Sequence, residues 1–212
     1  MNPYLHPSYT ALLARWGQQH WWPAETRLEM MLGAILTQHT AWIHAEKAIE
    51  NLRNNGALVL DALNNASLEQ LAEWIRPAGC FNQKANYIKG MADAIHRRFN
   101  GSLDELFALE TLPLRWELLS WKGIGPETAD SILLYAGKRA VFVVDTYTKR
   151  FLSHHGWCDQ KASYNEIAKL FTDTLPEDVP LFNEYHALIV RLGKEHCKTK
   201  PECTGCPLEQ FL

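Results

Sequence analysis

The stretch GIGPETAD, residues 123–130, and the run FVVDTYTKR, residues 142–150, decide how the rest of the chain reads. Gly123 and Gly125 supply the backbone freedom that a tight turn needs. Pro126 stands at a first helical position, which suits its fixed φ and missing donor. Upstream, RWELLSWK predicts a helix ending near Lys122. Downstream, Ala129, Ile132, Leu133 and Ala136 give one apolar face, closed by Gly137. A turn of this kind leaves amide N–H groups at a helix start, where the helix dipole also favours one phosphate. Taken alone, it is equally an ordinary α-hairpin. Glu127 is then an ordinary first-turn acid, although it also sets negative charge near the expected phosphate.

Asp145 follows the apolar run AVFVV, residues 140–144, and precedes TYTKRFLSHHG. In isolation an acid there predicts the N-cap of the next helix. Together, the glycine turn and an acid at this separation resemble the helix-hairpin-helix glycosylases, the endonuclease III superfamily of base-excision enzymes. The resemblance implies that Asp145 is catalytic. Some members of that superfamily add a hairpin lysine that attacks the sugar, and this chain has Glu127 in its place. A monofunctional glycosylase is therefore implied, in which water cleaves the base–sugar bond with no Schiff base and no strand cleavage. Lys122 lies across the turn, outside that lysine position. Lys122, Gly123, Gly125 and Thr128 are the expected DNA-contacting residues of the hairpin.

Helical patterns fill the rest of the chain. YTALLARWGQQ reads as a first short helix, and LEMMLGAILTQ (28–38) as a buried central one. IHAEKAIENLRNN stops at Gly56. SLEQLAEWI starts at Ser67, an N-cap with Glu69 and Gln70 in its first turn. Residues 82–99, SLDELFAL, SYNEIAKLFTDTL and LFNEYHALIVRLGKEH continue the pattern. AVFVV is the strongest strand-like run, and it is too short to imply a sheet. The expected class is all-α.

The 212 residues are 47% hydrophobic and 21% charged, an ordinary globular balance. Net charge is −3, which argues mildly against a non-specific nucleic-acid coat. Local basic pairs remain, among them Lys84 with Lys89 and Lys149 with Arg150, each more simply read as solvated surface. No apolar run approaches the about 18 residues that span a bilayer. No signal-peptide pattern precedes the first helix, so a cytoplasmic protein is expected.

Three further segments narrow the resemblance. Trp21-Trp22-Pro23 before the central helix, Thr37-Gln38-His39-Thr40 with Trp42 after it, and Asn82-Gln83-Lys84 resemble bacterial 3-methyladenine DNA glycosylases built on the endonuclease III fold. The likeness spans roughly residues 20–155. N3- or N7-alkylated purines are cationic before the bond breaks, so the enzyme needs little acid help. It needs a pocket that selects a cationic ring, and an indole face supplies about 0.5–2 kcal/mol. Trp22 and Trp42 are the expected two sides of that pocket, with Trp21 and Pro23 in support. Core packing is the competing reading, most strongly for Trp21. The target base must leave the stack, and the resemblance implies that Gln38 fills the vacated space. A helix cap or a surface amide is the plainer reading of Gln38.

The chain ends in CKTKPECTGCPLEQFL. Cys197, Cys203 and Cys206 are clustered thiols with Gly and Pro between them, a metal-binding pattern. The pattern resembles the four-cysteine iron–sulfur loop of endonuclease III relatives. Leu212 stands where the fourth cysteine would be. A [4Fe–4S] cluster with a substitute ligand (His196 being nearest), zinc on three cysteines plus that histidine, and a loop without metal all remain open. In each case the loop's role would be structural.

The resemblance implies a two-lobed fold: a six-helix barrel lobe over 23–136, and a second lobe from 1–22 plus 137–212, with Asp145 at the cleft. The implied activity is excision of alkylated purines, 3-methyladenine foremost, from duplex DNA by a monomer acting on a flipped-out base. The alternatives are an endonuclease III-like enzyme for oxidised pyrimidines, and a non-catalytic module that binds DNA structure.

Overall fold

A computed structural model describes residues 2–22 and 24–212, so the expectation for Pro23 falls outside the described residues. Among the described residues the chain is helical throughout, with no strand. In chain order the helices are α1 (Leu5–Trp16), α2 (Arg27–Leu36), α3 (Trp42–Asn54), α4 (Leu60–Asn65), α5 (Leu68–Trp74), α6 (Phe81–Arg98), α7 (Leu103–Phe107), α8 (Thr111–Leu119), α9 (Pro126–Ser131), α10 (Thr146–His154), α11 (Tyr164–Thr172) and α12 (Val179–Glu195). None is long and apolar enough to cross a membrane. The helices fall into two compact units, one of residues 24–137 and one of 1–23 with 138–212.

Residues 24–137 are organised around α2. Every residue from Leu28 to Leu36 is buried, as a nearly all-apolar helix demands. Thr26 caps its start by accepting from Glu29 N–H, and Arg53 pairs with the buried Glu29 at 2.8 Å. α5 begins with a complete capping box between Ser67 and Gln70. α9 runs on into a π-helical turn over Ile132–Ala136, all of it buried.

Lys84 and Lys89 are not the solvated basic pair that the sequence suggests. Lys84 is 3% exposed, and its ammonium donates to Leu36 O, Thr40 Oγ1 and Ala78 O at 2.8–2.9 Å. It closes the C-terminal end of α2 onto the 3₁₀ turn at Arg76–Ala78. Burial pushes this ammonium down from its ordinary pKa. Lys89 donates to the carbonyls of Asn64 and Ala66.

In the other unit, α10 and α12 pack against each other with α1 against α12. Residues 140–144 form no strand, and Phe142, Val143 and Val144 fill core. Phe142 stacks on Phe171 at 3.7 Å and meets Phe182 and Tyr185 edge-on. Tyr4 stacks on Trp157, which meets Phe211, so the two ends of the described chain share one aromatic cluster.

Candidate active site

The hairpin is α8, a turn over residues 120–125, and α9. α8 ends at Leu119, three residues before the point that the sequence suggests. Trp121 N–H bonds back to Leu118 O, and the Trp121 indole donates to Glu117 Oε1 at 2.8 Å, so Ser120–Lys122 already belong to the turn. Gly123 takes φ +85°, and a side chain there would overlap the ring of Tyr87. Gly125 is the extended N-cap and Pro126 the first helical residue. Arg115 forks onto the buried Asp130 at 2.6 and 3.1 Å and ties α8 to α9. Lys122, Gly125, Pro126 and Glu127 are exposed at the tip. Thr128 is buried instead.

Gln38 takes neither of the plainer roles. Its side-chain amide donates to Gly123 O and to Thr128 Oγ1, both at 2.9 Å. The segment after α2 is therefore fastened to the glycine turn on one side and, through Thr40 and Lys84, to the end of α2 on the other. Trp42 opens α3 and is half-buried.

Asp145 belongs to the unit built from both chain ends. It is the N-cap of α10, the ordinary role for an acid at this place. Its Oδ1 accepts from Thr148 N–H at 2.7 Å and from the Thr148 hydroxyl at 2.9 Å. Its Oδ2 faces His186 Nε2 at 3.6 Å, from α12. The residue is 9% exposed. Burial alone would push the carboxyl up, but the imidazole of His186 and the Thr148 donors outweigh it. They hold the carboxyl below the usual aspartate range. Asp145 is thus a buried carboxylate kept ionised, able to face positive charge without being neutralised. In the same unit Trp21 and Trp22 are half-buried and meet edge to face at 6.3 Å, and Lys194 Nζ lies 5.9 Å from the centroid of the Trp21 ring.

Cys197, Cys203 and Cys206 line one cavity of about 150 Å³ together with His154, His196 and Leu212. The nitrogen on a cysteine is not that of His196. His154 Nδ1 lies 3.3 Å from Cys197 Sγ, whereas His196 Nδ1 contacts Glu202 O at 3.2 Å. Burial pushes the Cys197 thiol up to about 11, against the pull of Arg150. Among the described residues no three His, Cys, Asp or Glu side chains converge closely enough to hold a metal ion. The loop is tied down by other means: Arg150 donates to Cys197 O and Gly193 O, Gly205 N–H donates to Glu209, and Leu208 is fully buried.

The pattern of the HhH-GPD superfamily of base excision DNA repair proteins matches residues 32–177, which include the second half of α2, the hairpin and Asp145. This chain belongs to that superfamily. A protein of Methanocaldococcus jannaschii that bears the provisional name DNA repair glycosylase is 46% identical over 98% of this chain and 94% of its own length. Endonuclease III of Sulfolobus acidocaldarius is 31% identical over 85% of this chain and 79% of its own. The solved Helicobacter pylori 3-methyladenine DNA glycosylase, bound to 1,N6-ethenoadenine, is 30% identical. It covers 90% of this chain and 95% of that one, with a TM-score of 0.75. The chain is thus an endonuclease III-like HhH-GPD protein with the helical fold of that group. His186, Arg115 and His154 are the site-forming residues that sequence reasoning passed over. Each meets its partner only through the folding of the chain, and no local spacing announces it.

Proposed function

We propose that the protein is a monofunctional DNA glycosylase that hydrolyses the N-glycosidic bond of alkylated purines, 3-methyladenine foremost, in duplex DNA. The observation that carries this reading is Asp145: a buried carboxylate that two donors and an imidazole hold in its charged form. Breaking the glycosidic bond of a cationic purine leaves positive charge on the sugar, and a fixed anion stabilises that charge as it develops. The same carboxylate orients the attacking water. The leaving base is already activated, so no general acid is required of the protein.

Base recognition falls to Trp22 and Trp42, with Trp21 in support, by stacking and cation–π attraction to the alkylated ring. The 3-methyladenine activity of the H. pylori relative supports this substrate class. At the tip, Lys122 and the Gly123–Gly125 backbone hold the DNA phosphates. Gln38 and Thr128, bonded to each other, brace that turn and order the segment that enters the duplex. Glu127 at the place of the nucleophilic lysine supports hydrolysis without a covalent sugar adduct. Endonuclease III of S. acidocaldarius, at 31% identity, favours the second reading, a glycosylase for oxidised pyrimidines.

The cysteine loop takes no part in these steps. Its donors share a cavity without converging on a point, and Leu212 holds the fourth-ligand position. As they stand they fit neither a four-thiolate cluster nor a zinc ion, and the chemistry at Asp145 needs none.

Release from three duplexes separates the readings: one carrying methylated purines, one thymine glycol, one uracil. We expect release from the first, and no adduct trapped by borohydride. Release confined to thymine glycol would favour the second reading. A trapped adduct would overturn the monofunctional mechanism.

A further inference from the structure

Asp145 has two carboxylate oxygens, and they are held differently. Oδ1 accepts two hydrogen bonds from one residue, Thr148, at 2.7 and 2.9 Å, and is saturated by them. Among the described residues Oδ2 meets one group, His186 Nε2, at 3.6 Å, which is an electrostatic contact longer than a hydrogen bond. Oδ2 therefore keeps the capacity to face a cationic sugar or to take a proton from water.

His186 is 5% exposed and comes from α12, an element that shares no turn with Asp145. Its place is set by a close approach of two helices. Gly193 lies two turns further along α12, on the same face, and a side chain there would run into the ring of Tyr147 on α10. Arg150, also on α10, reaches across with its guanidinium to Gly193 O and Cys197 O at 3.0 and 2.6 Å. These contacts fix the register of α12 against α10 at Tyr147 and one turn beyond it. The imidazole is thereby delivered to Asp145 as a consequence of helix packing.

We propose that His186 is a positioning residue for Asp145: it fixes the Oδ2 edge of the carboxylate, as Thr148 fixes the Oδ1 edge, so that Oδ2 is the oxygen that works on the sugar. A carboxylate held only through Oδ1 can rock about its Cβ–Cγ bond, and a misplacement of about 1 Å at a reacting group costs on the order of 100-fold in rate. The inference rests on the reading of Asp145 as catalytic.

The test is single-turnover excision from a duplex carrying methylated purines, with binding to the same duplex measured in parallel. His186→Leu removes the contact, and His186→Gln returns a side-chain N–H at the reach of Nε2. We expect His186→Leu to lower the single-turnover rate about 10- to 100-fold with duplex affinity unchanged. His186→Gln should recover most of that loss. The groups that set the Asp145 carboxyl are His186 from α12 and Thr148 from its own helix. The acid limb of the rate profile should therefore move to higher pH in His186→Leu, and by less in His186→Gln, which returns the N–H but not the charge of the imidazole. Equal rates for His186→Leu and wild type would overturn the proposal. So would equal losses in both variants accompanied by equal falls in melting temperature, since that is the mark of a merely structural histidine. If His186→Leu does not fold, the single-turnover rate of His186→Gln decides: a rate near that of wild type supports the proposal, and a loss of about 10-fold or more with duplex affinity unchanged counts against it. Asp145→Asn is run alongside: full activity in that variant would sink the catalytic reading itself, an outcome distinct from each of these.

Discussion

On the proposed reading Asp145 combines two duties that pull on the same atoms. As a helix cap it needs only an acceptor, and asparagine serves nearly as well. As a stabiliser of positive charge it must stay ionised while 9% exposed. The Asp145→Asn variant keeps the capping side chain and removes the charge, so it separates the two. The folded carboxyl lies below its ordinary value, so its charge contributes stability above the unfolded value and loses it as pH falls through the folded one. We therefore expect Asp145→Asn to be less stable than wild type above about pH 4, the ordinary aspartate range, with the gap closing in stronger acid. Urea unfolding at a series of pH values measures this. A gap that widens on acidification would mean that the carboxyl is held above its ordinary value.

On the proposed reading the hairpin is the element on which DNA contact depends, and two residues make it rigid. Gly123 sits at φ +85° against the ring of Tyr87, so Gly123→Ala meets both backbone strain and overlap. We expect a loss of about 1–3 kcal/mol in stability and a parallel loss of affinity for undamaged duplex. Thermal unfolding and a binding titration would show whether the two losses come together. Arg115→Met leaves the buried carboxylate of Asp130 without its fork, and we expect a cost of about 3–5 kcal/mol. Unchanged melting in that variant would show that Asp130 finds another partner. Much of this element was legible in the sequence. The turn glycines, Pro126 as first helical residue and the apolar face at Ala129, Ile132, Leu133 and Ala136 all follow from local rules. The end of α8 did not, because the chain tightens there into a turn, with Trp121 N–H bonded to Leu118 O, and no residue in RWELLSWK announces it. α4 also escaped notice: six residues ending in two asparagines carry little helical signal of their own.

At the scale of the molecule, composition and periodicity sufficed for an all-helical chain, and the combination of turn and acid sufficed for its superfamily. What they could not supply was the set of contacts between distant residues. Lys84 looked like half of a basic surface pair and is instead a buried ammonium bonded to three oxygens. It and Lys89 are engaged with carbonyl oxygens of the protein and so withdrawn from the charge that DNA could meet, whereas Lys122 at the hairpin tip stays exposed. His186 and His154 each acquire a partner only when α10 meets α12 or the C-terminal loop. Base release from a duplex carrying N3- and N7-methylated purines, followed under single-turnover conditions for wild type and Asp145→Asn, tests the whole account most directly. The expected result is release of methylated purine by the wild type, and release at least about 100-fold slower by the variant while it still binds the duplex. Release by the variant at the wild-type rate, or none by the wild type, would contradict it.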